Sequence, residues 1–196
     1  MSILIAYKRD DVVYMGTDSR VIIDDYKRTN LTPSMYRIQK MDNDMLVGIY
    51  CEEQESQVLF ANSDIFTLDK KGKLTRRHII TEIIPKLFFV AAKEDFLKKE
   101  DSDFPFIKAV IILAYKDTIY TILPSFTVVK NEGFVIAGGA GGVASATMER
   151  TKPTDDINER IVRAMDIASK HAQAVGAPYI LIDTQNLNYT VVKEAH

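Results

Sequence analysis

The sequence has one cysteine, Cys51, and three histidines, His78, His171 and His196, among 196 residues. A single thiol excludes a disulfide framework within the chain and points to a reducing compartment, so a cytoplasmic setting is expected. Cys51 closes an apolar run from Met45 to Tyr50. It is expected as a buried structural thiol, because a free cysteine usually packs as a small hydrophobe. The histidines fall in no HxxxH spacing and there is no CxxC, so neither a metal nor another cofactor is expected. No apolar stretch approaches the ~18 residues of a membrane span. No basic region, apolar core and cleavage site open the chain, so a secretory leader is not expected either. An excess of one charge is also lacking, since 25 Lys and Arg stand against 27 Asp and Glu, a net charge of −2. No basic block offers a footprint for nucleic acid, and no acidic tail suggests disorder. Repeats, low-complexity tracts and Pro/Gly-rich linkers are missing too, so residues 1–196 read as one domain, a length that suits one.

What the chain does have is apolar patterning. Nearly half of it, 46%, is hydrophobic, enough to cover a sheet with helices. Strand signals run from Ile3 to Lys8 and Val12 to Thr17, broken by the polar turn Arg9-Asp10-Asp11. A second pair, Met35 to Met41 and Met45 to Tyr50, is joined by Asp42-Asn43-Asp44. Val58, Leu59 and Asn62 sit in a weakly periodic helical segment. Ile79, Ile80, Ile83, Ile84, Leu87, Phe88 and Ala91 form a strong helical stripe, in which Pro85 predicts a kink or a fresh start. Strands return at Phe106 to Tyr115, Thr118 to Leu123, Ser125 to Val129 and Phe134 to Ala137. A helix is expected from Asp156 to Val175 with Ile157, Ile161, Ala164, Met165, Ala168, Ala172 and Val175 on its apolar face. Asp156 reads as its N-cap with Glu159 as partner, and Gly176 as its stop. Strands at Tyr179 to Asp183 and Tyr189 to Val192 close the chain. Segregated blocks of strands and helices predict α+β rather than alternating βαβ units. Gly139-Ala140-Gly141-Gly142-Val143-Ala144 matches GxGxxA, but outside a βαβ unit it reads as a tight strand-to-helix turn.

More specific is the stretch from Ser2 to Ala6 followed by Val12 to Arg20, which contains Gly16-Thr17-Asp18-Ser19-Arg20. With Met45-Leu46-Val47-Gly48-Ile49, the segment 134–142 and Gly176-Ala177-Pro178-Tyr179, it resembles proteasome β-subunits and the HslV peptidase over nearly the whole chain. Counted from Ser2, the family's Asp and Gly fall on Asp18 and Gly48 without a gap. The resemblance implies an N-terminal-nucleophile (Ntn) hydrolase with a four-layer αββα sandwich. It implies peptide or protein substrates, a homo-oligomeric ring and an ATPase partner.

By the same resemblance Ser2, once Met1 is removed, matches the nucleophile, with its own α-amine or a water beside it as base. An α-amine, with an ordinary pKa near ~7.7–8.0, suits that task. Asp18 matches the family's Asp, and Gly48 the glycine whose N–H steadies the oxyanion. A small residue such as Ser2 permits removal of Met1. The family's lysine, however, falls on Ser34, and Lys8, Lys27 and Arg37 are the candidates to replace its charge. Supporting positions fall near Ala140, Ala172 and Val175, which carry no hydroxyl or carboxylate. Weak hydrolysis, or a silent ring-forming subunit of the same fold, is therefore expected. Leu87, Phe88, Phe89 and Phe96 offer more apolar surface than one helix stripe needs, which suits assembly.

Overall fold

The computed structural model describes residues 2–24, 27–99, 104–152 and 155–193, with only the backbone of residues 22–24, 27, 28 and 34. Met1, and with it the state of the N-terminus, lies outside the described residues. Strands β1 (Ile3–Arg9) and β2 (Val12–Asp18) pair antiparallel around Asp10, whose φ of 53° makes the tight turn. A hairpin of β3 (Arg20–Asp24) and β4 (Lys27–Asn30) follows. The stretch expected as one strand from Met35 to Met41 is instead a 3-10 turn, Pro33–Met35, and a short β5, Ile38–Lys40. Pro33 at the first position of the turn sets φ and supplies no N–H to a ladder, which delays the strand. β6 is Leu46–Tyr50 and α1 is Glu53–Ala61.

The isoleucine-rich helix starts as α2 (Arg76–His78), widens to a π-helical turn over Ile79–Ile83 and resumes as α3 (Ile84–Lys93). Pro85 therefore sits in the first turn of a resumed helix, where its missing N–H costs least. Beyond it come the small pair β7 (Leu97–Lys98) and β8 (Phe106–Ile107), then β9 (Val110–Tyr115), β10 (Thr118–Ile122), β11 (Val128–Asn131) and β12 (Phe134–Gly138). β11 starts three residues later than expected, because Phe126, at φ 62°, still lies in the turn closed by Leu123 and Thr127. α4 (Gly141–Arg150), α5 (Ile157–Ser169), β13 (Tyr179–Asp183) and β14 (Thr190–Val192) complete the order.

Two five-stranded sheets result, ordered β12-β1-β2-β13-β14 and β11-β10-β9-β6-β5. Period-two alternation assigns each strand's side chains to two different cores. Leu4, Ala6, Met15, Leu46, Ile112 and Ala114 fill the space between the sheets. Ile3, Ile5 and Leu181 face the other way, against Ala144 and Met148 of α4 and Ile161 and Met165 of α5. Val47, Ile49, Ile111 and Leu113 face Leu59 of α1 and Leu87 and Val90 of α3. The layers run helix, sheet, sheet, helix, the expected αββα sandwich.

α5 keeps its expected cap, with the Asp156 carboxylate accepting from Glu159 N–H at 3.0 Å. It stops at Ser169, well short of Gly176. Lys170 N–H turns to Ile167 O and Ala168 O, a tightened last turn, and turns then carry the chain to Val175. That early stop frees residues 170–176 to reach the end of β2.

Candidate functional site

Antiparallel register sets the start of β1 beside the end of β2, with Leu4 opposite Thr17. Asp18, the last residue of β2, also lies opposite Tyr179, the first of β13. Three chain segments thus converge on one buried carboxylate. Ser2 Oγ donates to Asp18 Oδ1 at 2.6 Å, and Ile3 N–H donates to the same oxygen at 3.0 Å. Gly176 N–H faces Oδ2 at 3.4 Å. Ser2 is 2% exposed and Asp18 fully buried. Thr17 Oγ ties the strands together through Ile3 O at 2.8 Å. Ser19 Oγ holds Pro178 O at 2.8 Å.

The nearest charge comes from Arg37, which is 7% exposed. Its Nη1 donates to the backbone carbonyl of Asp18 at 3.3 Å, and its Nη2 meets Glu53 Oε2, at the start of α1, at 3.1 Å. Burial pushes the Asp18 carboxyl above its ordinary range. The Arg37 charge, the Ser2 hydroxyl and the N–H groups of Ile3 and Gly176 pull the other way without reversing it. A raised carboxyl is a stronger base than an exposed one, and the guanidinium favours the ionised form that can accept a proton.

Of the other cations considered, Lys8 sits further along β1 and pairs with Asp117 at 3.2 Å. The side chains of Lys27 and Ser34 lie outside the described residues. Arg37 is one of the three cations, with Lys8 and Lys27, named from the sequence as candidates to replace the family lysine's charge, and its burial is what the pairing of the guanidinium permits. Its pairing with Glu53 and the Gly176 contact left no trace in the sequence, because both join segments distant in the chain or separated by a turn.

Gly48 lies mid-strand between Ile38 of β5 and Ile112 of β9. Any Cβ there would stand 2.8 Å from Leu4 Cδ2 and from Met15 Cε, so glycine lets the two sheets close on each other under β1. Ile49 N–H donates to Arg37 O at 2.9 Å, across to β5. Alternation then turns the N–H of Gly48 the other way, toward β9, where it is spent in the ladder instead of facing an oxyanion. Gly138, at φ 140°, places its Cα against the Ser2 carbonyl, a contact closed to any side chain. The turn after it delivers Ala140 as the N-cap of α4, the expected strand-to-helix turn.

Cys51 is half-buried and its Sγ–H donates to Glu52 O at 3.2 Å. Burial first, then the carboxylates of Glu55, Glu53 and Glu52, push the thiol far above its ordinary range, with Arg37 opposing. Such a thiol is inert. Among the described residues no helix is long and apolar enough to cross a membrane.

A four-layer αββα sandwich of two five-stranded sheets is the fold of HslV- and Anbu-type, proteasome-like subunits. Solved structures bear this out. The Thiobacillus denitrificans protein BPH superposes with a TM-score of 0.74 over 95% of this chain and 98% of its own, at 15% identity. HslV from Trypanosoma brucei gives 0.61 over 92% and 98%, at 14% identity. The Anbu subunit from Pseudomonas aeruginosa gives 0.68 over 99% and 88%, at 13% identity. No family model and no curated protein matches the sequence. At such identities the likeness establishes the fold, and function must be argued from the site.

Proposed function

We propose that this chain is an Ntn-type hydrolase that cleaves, or transfers, peptide bonds through the hydroxyl of Ser2 after removal of Met1. One observation carries the reading: the Ser2 hydroxyl donates at 2.6 Å to a buried carboxylate. In the reaction Ser2 Oγ attacks the substrate carbonyl as its proton passes to Asp18 or to the freed α-amine. The leaving amine takes up that proton, and water, or an acceptor amine, releases the acyl group from Ser2. Arg37 biases Asp18 toward the ionised, accepting state. With serine at the position of the family's lysine, turnover is slow, since losing one such electrostatic group costs on the order of 10²–10³ in rate.

The same protein in this proposal works as a cytoplasmic homo-oligomer. Phe89, 67% exposed on α3, and Phe88 beside it supply apolar surface for assembly, whereas Leu87 and Phe96 belong to the monomer core. The Pseudomonas Anbu structure is described as a helical assembly. Light scattering that returns a single-chain mass at micromolar concentration removes the oligomer. An ATPase that feeds it is part of the same reading.

The Thiobacillus protein has also been solved in complex with epoxomicin. That peptide electrophile is the test. A chain starting at Ser2 should gain the mass of one epoxomicin and hydrolyse fluorogenic peptides weakly. Its Ser2→Ala variant and a Met1-retaining form should do neither. Equal hydrolysis by all three would show that Ser2 is not the nucleophile. A second reading, a silent subunit of the same fold, is favoured by the closure over Ser2, which is only 2% exposed. It is established if natively expressed protein keeps Met1 and the Ser2-starting form neither hydrolyses peptide nor takes up epoxomicin.

A further inference from the structure

A cleft of about 800 Å³ opens between α4 and α5, on the side of the molecule that carries the helices over β1 and β2. Its floor is small and apolar, with Gly142, Val143, Ala146 and Ile167. Its wall carries three cations, Arg150, Lys152 and Arg163, all exposed. Among the described residues none of the three has a carboxylate partner, while nearby Asp166 is committed to Lys170 at 3.2 Å. One carboxylate, Asp155, also lines the cleft. It accepts from Lys152 N–H at 3.2 Å within its own turn. The two residues between Lys152 and Asp155, Pro153 and Thr154, carry no charge.

Three cations against one carboxylate leave an excess of positive charge around one concave site, in a chain whose net charge is −2 and whose charges are otherwise well mixed. Like charges gathered without counter-charges repel, and an anionic partner relieves them. We infer that the α4–α5 cleft is a docking site for an acidic peptide segment of a partner protein, with carboxylates on Arg150, Lys152 and Arg163 and an apolar side chain on the Val143–Ile167 floor. The chemistry favours a peptide over a polyphosphate backbone. The floor is apolar and suits a hydrophobic side chain, to which a bare sugar-phosphate backbone has nothing to offer. The volume is that of a few residues of extended chain.

Binding of a fluorescein-labelled Glu-Leu-Glu-Leu-Glu peptide to the full chain, followed by anisotropy, tests the inference against a Lys-Leu-Lys-Leu-Lys control. The acidic peptide should bind, and raising the salt from 20 to 300 mM should weaken it several-fold, because exposed charges are screened within about 10 Å. Arg150→Glu with Arg163→Glu should lower affinity tenfold or more, whereas Lys70→Glu with Lys71→Glu, the same charge change at a distant loop, should leave it within about twofold. Both pairs are exposed, so folding is not at stake, and circular dichroism verifies it. Equal loss in the two double variants would reduce the effect to net charge and overturn the site. So would no binding at millimolar peptide, or binding of a short single-stranded oligonucleotide as tight as that of the peptide. If wild-type chains associate at low salt and Arg150→Glu with Arg163→Glu abolishes this, the occupant is a second copy and the partner assigned here is wrong.

Discussion

Replacing Arg37 by methionine keeps much of the side-chain volume and removes the charge. It strands Glu53, whose Oε2 the guanidinium holds at 3.1 Å and whose Oε1 is already buried without a partner. It also removes the donor to the Asp18 carbonyl at 3.3 Å and the charge opposing the burial of Asp18. Breaking a fully buried ion pair by deleting one partner costs about 3–5 kcal/mol. Here the Glu53 side chain keeps 26% of its exposure, so water recovers part of that. We expect a loss of about 2–4 kcal/mol, net of a small gain from burying methionine. For a chain of this length that lowers Tm by about 5–15 °C.

The loss must also depend on pH. The Arg37 charge favours the ionised form of Asp18 against its burial, so that part of its contribution is present where Asp18 is charged and fades as acid neutralises it. The gap in Tm between wild type and Arg37→Met should be widest near pH 7 and shrink toward pH 4. Arg37→Lys, which keeps a charge but not the two-pronged fork, should fall between them. Scanning calorimetry from pH 4 to 8 measures all three. A methionine variant as stable as wild type, or a gap that stays constant with pH, would refute the claim that this guanidinium is an electrostatic support of the site.

Other expectations follow from the same geometry. Burial raises Asp18, so the fold favours its protonated form; that contribution is complete below its ordinary value of 3.8 and is lost as pH rises through the raised value. Asp18→Asn cannot titrate, so it should gain stability relative to wild type between pH 4 and pH 7, on top of a constant offset from its altered contact with Gly176; parallel urea-denaturation profiles across that range would contradict this. Gly48→Ala should cost about 1–3 kcal/mol, because its Cβ meets Leu4 and Met15 in a filled layer. Gly176→Ala should cost less, since the obstacle is the movable end of Arg20, whose bond to Val175 O at 3.1 Å is what would be given up. Urea midpoints in the reverse order would show that the inter-sheet layer is less tightly filled than described.

Local pattern alone carried the α+β class and most of the elements, whereas the four-layer sandwich was implied by the family resemblance. The alternation in β1, β2 and β6 and the helical stripes on α3 and α5 are properties of neighbours in sequence, and hydrophobic burial reads them directly. Ser2, Asp18 and Gly48 were picked out by the spacing along the chain that the resemblance rests on. Tertiary structure decided what these positions face. Asp18 became a base candidate only when β1, β2 and the segment before β13 met around it, a juxtaposition of residues 2, 18 and 176. The helix after Asp156 ended at Ser169 although its apolar spacing continues to Val175, because the chain must leave the helix for Gly176 to reach Asp18. Gly48 carries the glycine expected of an oxyanion site, yet the ladder direction turns its N–H to β9, and the register of two flanking strands is invisible in one strand's sequence. The cation beside the site followed the same logic. Arg37 could be named only as one of three cations, with Lys8 and Lys27, to stand in for the lysine, and only the fold brought Glu53, at the start of α1, to it as the partner that lets it stay buried.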